Sequence, residues 1–86
     1  MRNIEEHAKD YENQLEGNPL RIARTKAGLT QAAVAGMLGV SIPIIHWWEK
    51  GASRPNAKNM RLLASFLDLD PAELEARWDE WLEGLQ

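Results

Sequence analysis

The 86-residue chain contains no cysteine. That excludes a disulfide scaffold, a thiolate metal site and a cysteine nucleophile. Histidine is scarce as well: His7 and His46 lie far apart and cannot alone build a zinc site. No apolar run approaches the roughly 18 residues that a membrane-spanning helix requires. The start, Met1-Arg2-Asn3-Ile4-Glu5-Glu6, is acidic rather than apolar and does not read as a secretory signal. At about 100–200 residues per domain, there is room for one small domain only. A multidomain enzyme, a TIM barrel and a full dinucleotide-binding fold are all too large. Ser41, Ser53 and Ser65 have no histidine at a telling spacing, the carboxylates show no metal-ligand grouping, and no glycine-rich phosphate cradle occurs. The expectation is a soluble, cytoplasmic, non-enzymatic protein with no cofactor and no metal.

What is present is charge sorted by position. Apolar residues make 44% and charged residues 27%, a globular balance rather than a disordered one. The formal net charge of −3 argues at first against nucleic acid, but the total hides three blocks. Residues 1–17 set Arg2 and Lys9 against five acids, for −3. Residues 18–67 set seven cations against Glu49 alone, for +6, and residues 68–86 set Arg77 against seven acids, for −6. A basic middle between acidic ends is the pattern of a polyanion-binding core with outlying segments.

Periodicity and punctuation predict an all-α bundle of four to five short helices, with no strand pattern anywhere. Ile4, Ala8, Tyr11 and Leu15, spaced 4, 3 and 4, mark residues 1–17 as an acidic extension, either a short helix or disordered. Asn18-Pro19 is a cap-plus-proline start, with Leu20, Ile22, Ala23 and Ala27 on the apolar side and Gly28 as the stop. Thr30 caps the second helix, which turns Val34, Ala35 and Leu38 inward and ends at Gly39. Ser41 caps the third, with Pro43 in its first turn and Ile45 and Trp48 pointing inward together. Asn56 or Ala57 opens the fourth, whose core face is Met60, Leu63, Ala64 and Leu67. Asp70-Pro71-Ala72-Glu73 combines a cap, a proline and a capping-box glutamate. The last helix runs through Leu74, Trp78, Trp81, Leu82 and Leu85.

Two short helices joined by Gly39-Val40-Ser41 make a helix-turn-helix arrangement. The matching features are Gly28-Leu29-Thr30-Gln31, Ala35, Leu38-Gly39-Val40-Ser41, Ile45, Trp48-Glu49-Lys50-Gly51, Arg54-Pro55, and Leu67 with Asp70-Pro71. From about Leu20 to Leu74 the chain resembles the Cro/lambda-repressor-like (XRE) helix-turn-helix domain. The resemblance implies a lambda-repressor-like domain over 18–75 and a terminal helix over 70–86 that serves dimerisation. It also implies an ion pair between Arg24 and Glu49 that braces helices one and three.

In that family the third helix lies in the major groove of double-stranded DNA. By motif position the base-facing residues are Ser41, Ile42, Pro43, His46 and Trp47. Those approaching phosphates are Thr30, Gln31, Lys50, Ser53, Arg54 and Asn56. Thr30 and Gln31 also sit at a helix N-terminus, which favours an anion. The implied function is a bacterial or phage repressor that binds a palindromic operator as a homodimer, with Trp78, Trp81, Leu82 and Leu85 at the dimer interface. Ile42, Pro43 and Trp47 depart from the family, because they offer no bidentate partner to a base edge, and Ile44 adds to an apolar patch. The alternative is therefore a protein-binding module on the same fold, an antirepressor or antitoxin whose third helix grips a protein partner.

Overall fold

The computed structural model describes residues 17–85. The expectation for the acidic extension falls on residues 1–16 and so lies outside the described residues. Five helices follow one another: α1 (Pro19–Lys26), α2 (Gln31–Leu38), α3 (Ile42–Lys50), α4 (Ala57–Phe66) and α5 (Pro71–Gly84). There is no strand among the described residues. Helices this short are marginal in isolation, so packing must hold them. Each contributes to one core of Leu20, Val34, Ala35, Ile45, Trp48, Met60, Leu63, Ala64, Leu74 and Trp78.

The starts of the helices follow a shared local code. Asn18, Thr30, Asn56 and Asp70 each accept an N–H from the third residue onward, at 2.8–3.1 Å. Four helices also place an apolar residue just before the cap and another four residues after it: Leu29 and Val34, Val40 and Ile45, Pro55 and Met60, Leu69 and Leu74. All eight are at least partly buried, so each pair fixes the angle at which the chain enters its helix. At Asp70 the expected capping box is half made. Glu73 N–H donates to Asp70, but the Glu73 carboxylate turns to Arg77 at 2.6 Å instead.

Ser41 is the exception among the caps. It occupies the capping position of α3 with no side-chain capping bond. The second helical residue is Pro43, which has no N–H to give, and the N–H of Ile44 donates to the Ser41 carbonyl at 3.2 Å. The Ser41 hydroxyl is thus left uncommitted at the exposed start of α3.

The turn between α2 and α3 needs a left-handed residue, and Gly39 supplies it at φ 72°. The N–H of Val40 then donates back to Ala35 at 3.0 Å, which closes α2 and lets α3 cross it on the small side chain of Ala35. The end of α4 makes the same turn at Asp68, at φ 56° and without a glycine.

Two expectations for the core are corrected. Ala27 is exposed rather than on the apolar side of α1, since it lies past the last helical residue. Ile44 is half-buried and packs on the core, so it does not belong to the exposed patch of α3.

Candidate nucleic-acid interface

The placement of α3 is set from inside. Ile45 (0% exposed) and Trp48 (4%) hold its inner side. Residues three apart on a helix lie about 60° apart, and adjacent residues about 100°. With Trp48 inward, Trp47 must turn out, and it is 50% exposed. Ile42 is 49% exposed, and Ser41, Pro43 and His46 are exposed beside it. The five residues expected to face base edges therefore share one solvent-facing side of α3.

Glu49 is the one acid on α3, and it is withdrawn from this surface. Its side chain is 5% exposed and pairs with Arg24, whose Nε and Nη2 donate to the two carboxylate oxygens at 2.7 and 3.0 Å. This two-pronged geometry is the strong form of the pair. The hydrogen bonds to Glu49, together with its charge, raise the Arg24 guanidinium above its ordinary pKa against the opposing effect of burial. Arg24 Nη1 also donates to the Leu29 carbonyl at 2.8 Å, and Gln31 Nε2 donates to Glu49 at 3.3 Å. One acid thus ties α1, the α1–α2 turn, α2 and α3 together. It fixes the two helices of the motif relative to each other and removes a negative charge from their outer side.

The residues expected at phosphates divide into two groups. Thr30 and Asn56 cap α2 and α4, leaving the N–H groups of Gln31, Ala32, Ala57 and Lys58 in the first turns without intrahelical acceptors. Lys50 and Ser53 are exposed at and after the end of α3. Two others are engaged within the protein. The Gln31 amide is turned to Glu49, and Arg54 reaches α5, where Nη2 meets Glu75 at 3.2 Å and Asp79 at 3.0 Å. The sequence carries no local signal for the Arg54 contacts, because the partners stand 21 and 25 residues away on another helix.

Asn18 has a second role that its capping position does not announce. It is 2% exposed, and besides capping α1 it donates from Nδ2 to the Trp48 carbonyl at 3.2 Å. It thereby satisfies a carbonyl at the end of α3 while starting α1. Next to it, Gly51 (φ 83°) closes α3. A Cβ there would lie 2.8 Å from Leu85 and 3.2–3.3 Å from the Trp81 ring. The end of α5 therefore folds back onto the end of α3.

That fold-back sets how much of the apolar stripe of α5 stays exposed. Trp78 is fully buried in the core of a single chain and has no surface to offer a partner. Trp81 and Leu82 are half-buried against the same core, and Leu85 (55% exposed) keeps most of its surface in solvent. No helix among the described residues is long and apolar enough to cross a membrane.

Comparison with known proteins agrees with this geometry. Residues 20–74 match the family described as Helix-turn-helix. The match runs from α1 into the first turn of α5 and stops short of Trp78 and Trp81. Repressor protein C2 of Salmonella phage P22 is 38% identical over 58 residues, which is 67% of this chain and 27% of that protein. The chain thus spans about a quarter of the curated relative it matches. No solved structure matches it. With the two crossed helices, the left-handed Gly39 turn and the Arg24–Glu49 brace in place, the chain belongs to the helix-turn-helix family of the Cro/lambda-repressor (XRE) type.

Proposed function

We propose that this chain is a DNA-binding transcriptional regulator of repressor type, which places α3 in the major groove of operator DNA. The observation that carries the reading is the outer side of α3. Ser41, Ile42, Pro43, His46 and Trp47 stand in solvent together, while the nearby acid, Glu49, is paired inside. In the groove, Ile42 and Trp47 suit thymine methyl groups, and the Ser41 hydroxyl and His46 supply the polar contacts. Lys50, Ser53 and the first-turn N–H groups of α2 and α4 suit phosphates. Arg54 joins them by exchanging Glu75 and Asp79 for a phosphate.

The chain acts as a homodimer on a palindromic operator, with half-sites about one helical turn apart. The seam falls at the exposed end of α5, at Leu82 and Leu85 with the open edge of Trp81. A Leu85→Asp variant is expected to sediment as monomer and to bind the operator more weakly, because linked half-sites reinforce each other. The second reading, an antirepressor or antitoxin that grips a protein with α3, is favoured by the apolar character of Ile42, Pro43 and Trp47.

The deciding experiment is binding of the purified chain to duplexes it selects from a random library, at two salt concentrations. Binding that weakens with log salt at a slope of about −0.9 per phosphate contact supports the DNA reading. Failure to enrich any duplex at low salt contradicts it.

A further inference from the structure

Among the residues suited to phosphates, Arg54 stands apart, because carboxylates already hold its side chain. It lies three residues after Gly51, in the loop between α3 and α4. The backbone of that loop is tied down on both sides of Arg54. The N–H groups of Ala52 and Ser53 donate to the Trp47 carbonyl at 3.0 and 3.5 Å, and Pro55 is buried. From this fixed base the Arg54 side chain crosses to α5. There a single nitrogen, Nη2, meets Glu75 at 3.2 Å and Asp79 at 3.0 Å.

The two acids bring α5 itself no benefit. Glu75 and Asp79 are four residues apart, so they share one side of the helix, where like charges repel. Arg77, the one cation on α5, donates to Glu73 at 2.6 Å instead. The core side of α5 is held by Leu74 and Trp78 without either acid. One positive charge against two negative ones leaves the cluster net negative. The side chains of Arg54, Glu75 and Asp79 are 37, 54 and 53% exposed, so the cluster is open to exchange with an anion from solution.

We propose that Glu75 and Asp79 stand in for DNA phosphate in the free protein: they occupy Arg54 and so hold down the affinity of the chain for any duplex. The inference rests on the DNA reading of the α3 side and names a restraint on it. A guanidinium binds carboxylate and phosphate oxygens through the same N–H donors, so α5 and the duplex compete for it. Two ion pairs break for the phosphate contact that Arg54 gains. The loop backbone stays in place, and only the side chain swings. Phosphate contacts carry no sequence information, so the restraint acts on selected and random duplexes alike.

Four versions of the full chain test this: the unsubstituted chain, Arg54→Ala, Glu75→Ala with Asp79→Ala, and all three changes together. All three side chains are partly exposed and alanine is the best helix former, so the variants keep the fold. Each version is titrated with a selected and a random duplex at one low salt concentration. Removing two acids strengthens DNA binding through net charge alone, but that gain is the same with or without Arg54. The difference between the two gains isolates the contact. Exposed ion pairs are each worth a factor of about one and a half to five. Acid removal is therefore expected to strengthen binding at least about threefold more with Arg54 present than in the Arg54→Ala background, on both duplexes. Equal gains in the two backgrounds overturn the inference and leave the DNA reading standing. Weaker binding on acid removal, seen only with Arg54 present, overturns it by making the acids a support that aims Arg54 at the phosphate. No duplex binding by any of the four removes the DNA reading, and the inference with it.

Discussion

Helices α3 and α5 each carry two tryptophans and place them differently. On α3 they are adjacent, about 100° apart, so one must leave the core: Trp48 is 4% exposed and Trp47 50%. On α5 they are three apart, about 60°, and both can turn inward: Trp78 is 0% exposed and Trp81 half-buried. The charges run the other way. The outer side of α5 carries Glu75, Asp79, Glu80 and Glu83, whereas α3 has a single acid and hides it against Arg24. Helix α5 thus buries its aromatic side in the core and solvates its acidic side. On α3 the outer surface stays apolar and free of acid with no benefit to the core.

The largest effect is expected at Trp78. Trp78→Ala should cost about 3–5 kcal/mol of unfolding free energy, the range for emptying an aromatic core site, read from chemical denaturation. A small loss would mean that α5 is dispensable for the fold and free for a partner. The buried indole N–H of Trp78 has no acceptor among the described residues.

The next effect in size is at the brace. Glu49→Ala leaves the Arg24 guanidinium, 15% exposed, without its partner. The cost should be about 3 kcal/mol by the same denaturation measurement. Pairing it with Arg24→Met should recover part of that loss, because the stranded charge is then gone. If the double change is as costly as the sum of its parts, the brace is two independent contacts.

Arg54 sharpens the contrast between acidic α5 and the basic middle at a smaller scale. Its pairs with Glu75 and Asp79 are surface contacts, so Arg54→Ala should cost at most about 1 kcal/mol of stability. On DNA it should weaken all sequences alike and flatten the salt slope by about 1. An unchanged slope would remove Arg54 from the interface and leave it as a tie to α5.

Sequence reading succeeded where the signal was local. The caps at Asn18, Thr30, Asn56 and Asp70, the glycine turn at Gly39, and the inward pair Ile45 and Trp48 all depend on residues within one turn of each other. It fell short where partners come from elsewhere in the chain. The Ser41 hydroxyl makes no capping bond, because Pro43 has no N–H and the Ile44 N–H donates to the Ser41 carbonyl instead. Ile44 is covered by the core, and Asn18 reaches Trp48 thirty residues away. Arg54 finds its carboxylates on α5, and Gly51 is pressed by Leu85 and Trp81. The periodicity of α5 identifies its apolar stripe but not what covers it. A stripe folded onto the same chain and one shared between two chains have the same spacing, and only packing in three dimensions put Trp78 wholly inside.

The smallest expected change in stability is also the most informative substitution. Trp47→Ala removes the largest side chain on the outer side of α3, and its effect on folding should stay within about 0.5 kcal/mol, as at an ordinary surface position. Whether α3 reads DNA is decided by the ratio of affinities for a selected duplex and for random DNA of equal length, before and after this change. The ratio should fall while the salt slope stays constant, since an apolar contact to thymine methyls reads sequence without adding charge. An unchanged ratio in a fully folded variant would contradict it and give the outer side of α3 to a protein partner.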